Sequence, residues 1–203
     1  MNTILFFDTE TTGLPNFKKP LSCPTQPKLL QLGCILATEE MDILEKVATL
    51  VQIGSTSIHP MAYKAHKISA ERANKEGCPA EEAFAIFYEM AMAADYLVCH
   101  NHSFDIKIIE LNSAQIKEAF PDPEIPEVMM SEINDLPSKC TMKSTINFCK
   151  LPFPSGRKGF KFPKLEELHR ILFGEDFIGA HDAMADVSAT MRCYFKLREM
   201  GVM

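Results

Sequence analysis

The sequence predicts an α/β domain, a sheet carrying helices on its faces, and three observations predict it. The apolar runs Ile4 to Phe7 and Tyr96 to Cys99 are short enough for strands, and each breaks abruptly into a polar turn that carries a carboxylate. Longer stretches, notably Pro79 to Asp95 and the segment after Asp182, repeat apolar residues at helical spacing. Strands that alternate with helical segments bury themselves by packing those helices against the sheet.

The elements follow in order. After the first strand, Pro15, Pro20, Pro24 and Pro27 punctuate a loop, and Lys28 to Ala37 and Leu44 to Ile53 read as antiparallel strands joined through Thr38 to Asp42. Gln31, inside the first of these, is given no catalytic role. Ser69 is placed to cap a short helix. In Pro79 to Asp95 the residues Ala83, Phe84, Phe87, Met90, Ala91 and Ala94 define one buried helical face. The strand Tyr96 to Cys99 leads into a helix expected to be capped by Ser103 and buried through Ile106, Ile108, Ile109 and Leu111. Its first turn holds Asp105, where the helix dipole favours a negative charge. Pro121 to Pro137, acidic and proline-containing, reads as a surface excursion. Lys139 to Met142 follows as a short strand or turn, and Lys143 to Lys150 as a helix. Leu151 to Pro163 reads as a basic loop whose Phe153, Phe160 and Phe162 either stack on nucleobases or pin the loop to the core, pinning being the favoured reading. Leu165 to Phe173 is helical up to Gly174, and Asp182 caps a last helix with Ala183, Val187, Met191, Tyr194 and Leu197 on its buried face.

At 203 residues, 46% hydrophobic and 24% charged, the chain is of ordinary globular composition, and a single domain over residues 1–203 is the simplest division. No apolar run approaches the ~20 residues of a membrane span, and the N-terminus lacks the pattern of a secretory signal, so a cytoplasmic location with no membrane partner is expected. Seven cysteines without a CxxC pair are expected as reduced thiols, and the spacing of Cys140 and Cys149 argues against zinc. A net charge of −6 excludes a protein that coats nucleic acid by charge alone. Positive charge is nevertheless concentrated in two acid-free stretches. One holds Lys18, Lys19 and Lys28, and the other Lys150, Arg157, Lys158, Lys161 and Lys164. They either steer phosphate, Arg157, Lys158 and Lys161 among them, or are solvated loops.

The chemistry sits at the strand ends. Asp8 and Glu10, two residues apart on a strand, share one face about 6.6 Å apart, and crowded carboxylates repel unless a cation such as Mg²⁺ or Mn²⁺ offsets them. The alternative is a pair of solvated acids at a strand exit. Asp105 adds a third carboxylate after His100 and Asn101. Near the C-terminus His181 precedes two acids, Asp182 and Asp186, either of which could face a site on geometry alone.

In this order, FDTET from Phe6, HNxxFD from His100 and HDAxxD from His181 resemble the three motifs of the DEDDh, DnaQ-like 3′-to-5′ exonucleases, and the resemblance runs from Phe6 to about Phe195. It implies the RNase H-like exonuclease fold, a five-stranded mixed sheet flanked by helices with strand two antiparallel to the rest. It selects Asp186 over Asp182 and implies two divalent metal ions, Mg²⁺ or Mn²⁺, bracketing the scissile phosphate. Asp8 would bridge both ions, Glu10 and Asp186 would support one, and Asp105 the other, with His181 as general base. The Thr11 backbone would meet the terminal 3′ hydroxyl, Leu14 would wedge between the last bases, and His66 would lie near the nucleotide or else hold a loop. The implied substrate is a single-stranded or frayed 3′ end, DNA favoured over RNA, cut to nucleoside 5′-monophosphates in repair, proofreading or turnover. An RNA-trimming exonuclease and a non-catalytic module that positions a polymerase or clamp are the alternatives. Relatives that act as permanent polymerase subunits carry a long tail after this domain, so with Met203 close behind the last helix only a transient polymerase association is expected.

Overall fold

The structure, a computed structural model, describes residues 2–203. Five strands, β1 (Thr3–Thr11), β2 (Leu29–Thr38), β3 (Ile43–Leu50), β4 (Tyr96–Cys99) and β5 (Ser138–Cys140), form one sheet in the order β3-β2-β1-β4-β5. β2 is antiparallel to β1 and β3, whereas β4 is parallel to β1 and β5 to β4, so strand two runs against the other four as expected. Helices α1 (Pro60–His66), α2 (Ala70–Glu76) and α3 (Ala80–Met92) separate β3 from β4. Between β4 and β5 lie α4 (His102–Ile116), a 3-10 turn at Lys117–Ala119 and α5 (Ile125–Asp135). The short helices α6 (Thr141–Ser144) and α7 (Ile146–Cys149) follow, then α8 (Leu165–Phe173) and α9 (Ala183–Glu199).

The period of two along β1 sets both the core and the site. Leu5 and Phe7 face one way, into a cluster with Phe84 and Phe87 of α3 and Ile108 and Ile109 of α4, while Ile4 and Phe6 face the other way against Val187, Tyr194 and Phe195 of α9. Because helices cover both faces, the strand is apolar without alternation, and each fully buried phenylalanine contributes about 1.5–3 kcal/mol. The same parity continues past Phe7. Thr9 keeps to the α4 side, and Asp8 and Glu10 keep to the α9 side.

Four expectations need correction. The proline-containing segment before β5 is helical, because Pro126 occupies the first turn of α5, where a missing N–H costs nothing, and Met130 and Ile133 are buried. Ser103 does not cap α4. The residue before the helix is Asn101, held at φ 77°, a left-handed conformation that asparagine tolerates better than most residues, and Ser103 lies within the first turn. The helix expected from Lys143 to Lys150 is two short helices broken at Thr145, whose hydroxyl donates back to the Thr141 carbonyl at 2.6 Å. Finally, Phe160 and Phe162 do not pin their loop, being 40% and 53% exposed; the loop is closed instead by the Pro152–Phe160 bridge and by Lys161 N–H donating to the Leu151 carbonyl. All seven cysteines are free thiols, and no helix among the described residues is long and apolar enough to cross a membrane.

Candidate active site

Three element ends bring their polar side chains together: the last residues of β1, the first turn of α4 and the first turn of α9. Asp105 is only 3% exposed, and its Oδ1 accepts from the backbone N–H of Thr9 at 3.1 Å and from the Thr9 hydroxyl at 2.8 Å. These bonds hold the acid against the end of β1, where its charge is the strongest of those acting on Asp8. Asp186, 8% exposed, accepts the backbone N–H of His181 at 3.0 Å, and His181 itself sits at φ 69° in the left-handed region.

The start of α9 is tied to the sheet by β2. Gln31, the partner of Glu10 in the strand register, donates from Nε2 to Asp182 at 3.1 Å and accepts the Ala183 N–H on Oε1 at 3.1 Å. Asp182 also accepts the Ala185 N–H as the helix cap, at 3.2 Å. This separates the two acids that geometry alone left open, since Asp182 is occupied as a cap while Asp186 faces Glu10 and His181. Gly33, opposite Asp8, allows the close approach, because a Cβ there would stand 2.7 Å from the Ala183 carbonyl carbon.

Crowding shows in the proton affinities. Burial, and then the charges of Asp105, Asp186 and Glu10, push Asp8 well above the usual carboxylate range. Glu10 is pushed up to about 8 by burial and then by Asp186 and Asp105. Asp105 is raised to about 7 by burial, against the Thr9 hydrogen bonds that lower it. Asp186 is raised to about 7, also mainly by burial, with the His181 N–H acting in the opposite sense and Glu166 in the same one. Carboxylates in this number suit a hard divalent cation. Glu10, His181 and Asp186 offer ligand atoms within 4.8 Å of one another, a spacing one ion can span.

Two cavities meet at Leu14. One of 670 Å³ is lined by Asp8, Glu10, Asp105, His181 and Asp186 together with His100, Phe162, Lys164 and Glu166. The other, of 780 Å³, is lined by Glu10, Thr11, Gly13, His59, His66 and His181. Leu14 lines both and is 82% exposed. His66 holds the turn between α1 and α2, its Nδ1 accepting the Ile68 N–H at 3.0 Å, and it also lines the second cavity, with buried Nε2 left without a hydrogen-bond partner. Burial keeps its basicity below that of a free imidazole, partly offset by the Thr11 backbone.

Arg157, Lys158 and Lys161, expected on phosphates, line neither cavity. Arg157 stacks 4.1 Å above the Phe153 ring, and Lys161 is paired with Glu167, which also accepts the Lys164 N–H at 2.8 Å. Lys164 is the basic residue of that segment that reaches the site. Two site residues escaped the sequence reading. His100 bridges the site wall, with Nδ1 3.0 Å from the Thr141 hydroxyl and Nε2 3.0 Å from the Pro163 carbonyl, and burial lowers its pKa to about 4. Glu166 stands 3.7 Å from His181 Nε2. Only the strand-end position of His100 could have pointed to it.

Acids gathered at the end of a central strand, with a histidine and an open cavity, form a candidate active site. The sequence matches the profile of the exonuclease family, RNase T type, over residues 5–194, and the chain belongs to that family. No curated protein matches the sequence. The fold is similar to that of E. coli exonuclease I. Its complex with a dT13 oligonucleotide superposes with a TM-score of 0.72 at 19% identity, covering 98% of this chain and 41% of that chain. The zinc-bound complex with single-stranded DNA gives 0.70 at 19% identity and the same coverage, and a product-bound exonuclease I gives 0.71 at 18%, covering 98% and 43%. This chain thus spans about two fifths of the length of exonuclease I.

Proposed function

We propose that residues 1–203 form a single 3′-to-5′ exonuclease domain that removes nucleoside 5′-monophosphates from single-stranded or frayed nucleic-acid ends, with DNA favoured over RNA. The observation that carries this reading is the convergence of Asp8, Glu10, Asp105, Asp186 and His181 on one cavity. Two divalent ions, Mg²⁺ or Mn²⁺, held by the four carboxylates would supply neutralisation of the phosphate charge and activation of water. Asp105, pinned by Thr9, and Asp186, pinned by the His181 N–H, hold their oxygens in place before any ligand arrives. His181 accepts the proton of the attacking water. The terminal nucleotide occupies the cavity of Thr11 and His66, and exposed Leu14 separates its base from the preceding one.

The preference for DNA is supported by the dT13 and dA16 oligonucleotides held by E. coli exonuclease I in its structures. A cytoplasmic role in repair, turnover or transiently recruited proofreading fits this activity. The test is digestion of matched 5′-labelled DNA and RNA oligonucleotides with Mg²⁺, by wild type and by Asp186→Ala. Stepwise loss of monophosphates from the 3′ end, faster on DNA and nearly abolished in the variant, is expected. Faster RNA trimming would reverse the substrate assignment, and metal binding without turnover would make the domain a docking module.

A further inference from the structure

We infer that Glu166 is a positioning residue for His181, an inference that rests on the function proposed above. The His181 ring is poorly held by its own surroundings. Its side chain is half exposed, its backbone lies in the left-handed region, and its recorded hydrogen bond to Asp186 uses the main chain, not the ring. Glu166 Oε1 stands 3.7 Å from Nε2, and among the described residues it is the carboxylate paired with that ring. A small rotation of two partly exposed side chains closes that gap to hydrogen-bond length, and contacts of this kind commonly tighten only when substrate is bound.

The backbone that carries Glu166 is firmly held. Its neighbours are fixed on every side: Pro163 by His100, Lys164 N–H by Glu167, and Leu165 and Leu168 by burial against Ala189, Cys193 and Leu197 of α9. The first turn of α8 contains two acids, Glu166 and Glu167, and the helix dipole favours both equally. Glu167 spends its carboxylate on Lys161 and the Lys164 N–H, whereas Glu166 turns into the cavity that holds Asp8 and His181. The dipole therefore accounts for an acid at this place but not for its direction.

With Nε2–H directed at Glu166, the other nitrogen, Nδ1, is left free to accept a proton. As the water oxygen bonds to phosphorus and the bond from phosphorus to the 3′ oxygen breaks, one water proton passes to Nδ1. The leaving oxygen takes a proton from solvent. The imidazolium formed in the step then lies beside a carboxylate, and Glu166 stabilises it without touching substrate.

The test is a double-mutant cycle on kcat and KM, with Glu166→Ala, Glu166→Gln, His181→Ala and the double variant, at saturating Mg²⁺ and with melting temperatures measured in parallel. Glu166→Ala should lower kcat roughly 10- to 100-fold, the usual effect of losing a group that orients a functional histidine, with KM and melting temperature unchanged. Glu166→Gln keeps an accepting oxygen and should recover part of the loss. Adding Glu166→Ala to His181→Ala should cost nothing further, because its effect runs through the imidazole. An unchanged kcat in Glu166→Ala, or the same loss repeated in the double variant, overturns the inference while leaving the nuclease assignment standing. A His181→Ala enzyme as fast as wild type overturns the base assignment first and this inference with it.

Discussion

At the scale of single residues, the site is a place where folding and function oppose each other. Asp8 is held among Asp105, Asp186 and Glu10, and burial together with their charges raises its proton affinity. Removing that charge removes repulsion as well as a candidate ligand. Asp8→Asn is expected to abolish hydrolysis yet raise the melting temperature of the metal-free protein at mildly alkaline pH, by on the order of 1 kcal/mol or about 3 °C for a chain of this size. Scanning calorimetry in EDTA beside an oligonucleotide assay checks both halves. A variant that melts lower than wild type would show Asp8 to be a structural residue and not a strained one.

At the scale of elements, α9 is placed by β2 through Gln31 and Gly33. A methyl group at position 33 would meet the Ala183 backbone at 2.7 and 2.8 Å, and backbone cannot step aside as a side-chain tip can. Gly33→Ala should therefore cost about 1–3 kcal/mol, as overpacking in a core does, and lower kcat by shifting His181 and Asp186 with the helix. Urea titration and steady-state kinetics measure this, and normal values of both would mean that α9 has room to move. The strands and the motif-bearing turns were legible in the sequence because apolar runs break sharply into polar ones and because β1 keeps its period of two through Glu10. α5 was not, since prolines near both of its ends imitate a loop. The choice between Asp182 and Asp186 came from family likeness; the cap at Asp182 was legible, but the facing of Asp186 toward Glu10 and His181 needs three dimensions. Glu166 and Gln31 were illegible for the same cause. Each acts on residues brought near only by folding.

At the scale of the whole molecule, the raised acids govern how stability responds to pH. Glu10, Asp105 and Asp186 titrate near 7 to 8 in the native state and Asp8 above its ordinary range, against about 4 in the unfolded chain. Between these values the native state binds more protons than the unfolded one, so metal-free stability is greatest below about pH 4 as far as these groups are concerned and declines as pH rises through about 8. Melting temperatures in EDTA should therefore fall from about pH 5.5 to about pH 8.5, and Mg²⁺ should restore them most at the upper end, because it binds the ionised native site. A metal-free melting temperature that rises over this interval would contradict the crowding of the four acids. The bonds from Gln31 to the start of α9 have a consequence for the timing of synthesis. They join residues 151 and 152 positions apart, and a ribosome adding ~5–20 residues per second leaves β2 waiting roughly 8–30 s for its partner. Throughout that interval the growing polypeptide owns Asp8 and Glu10 but neither His181 nor Asp186. On the function proposed above, cutting has to wait until the start of the last helix has folded against β2.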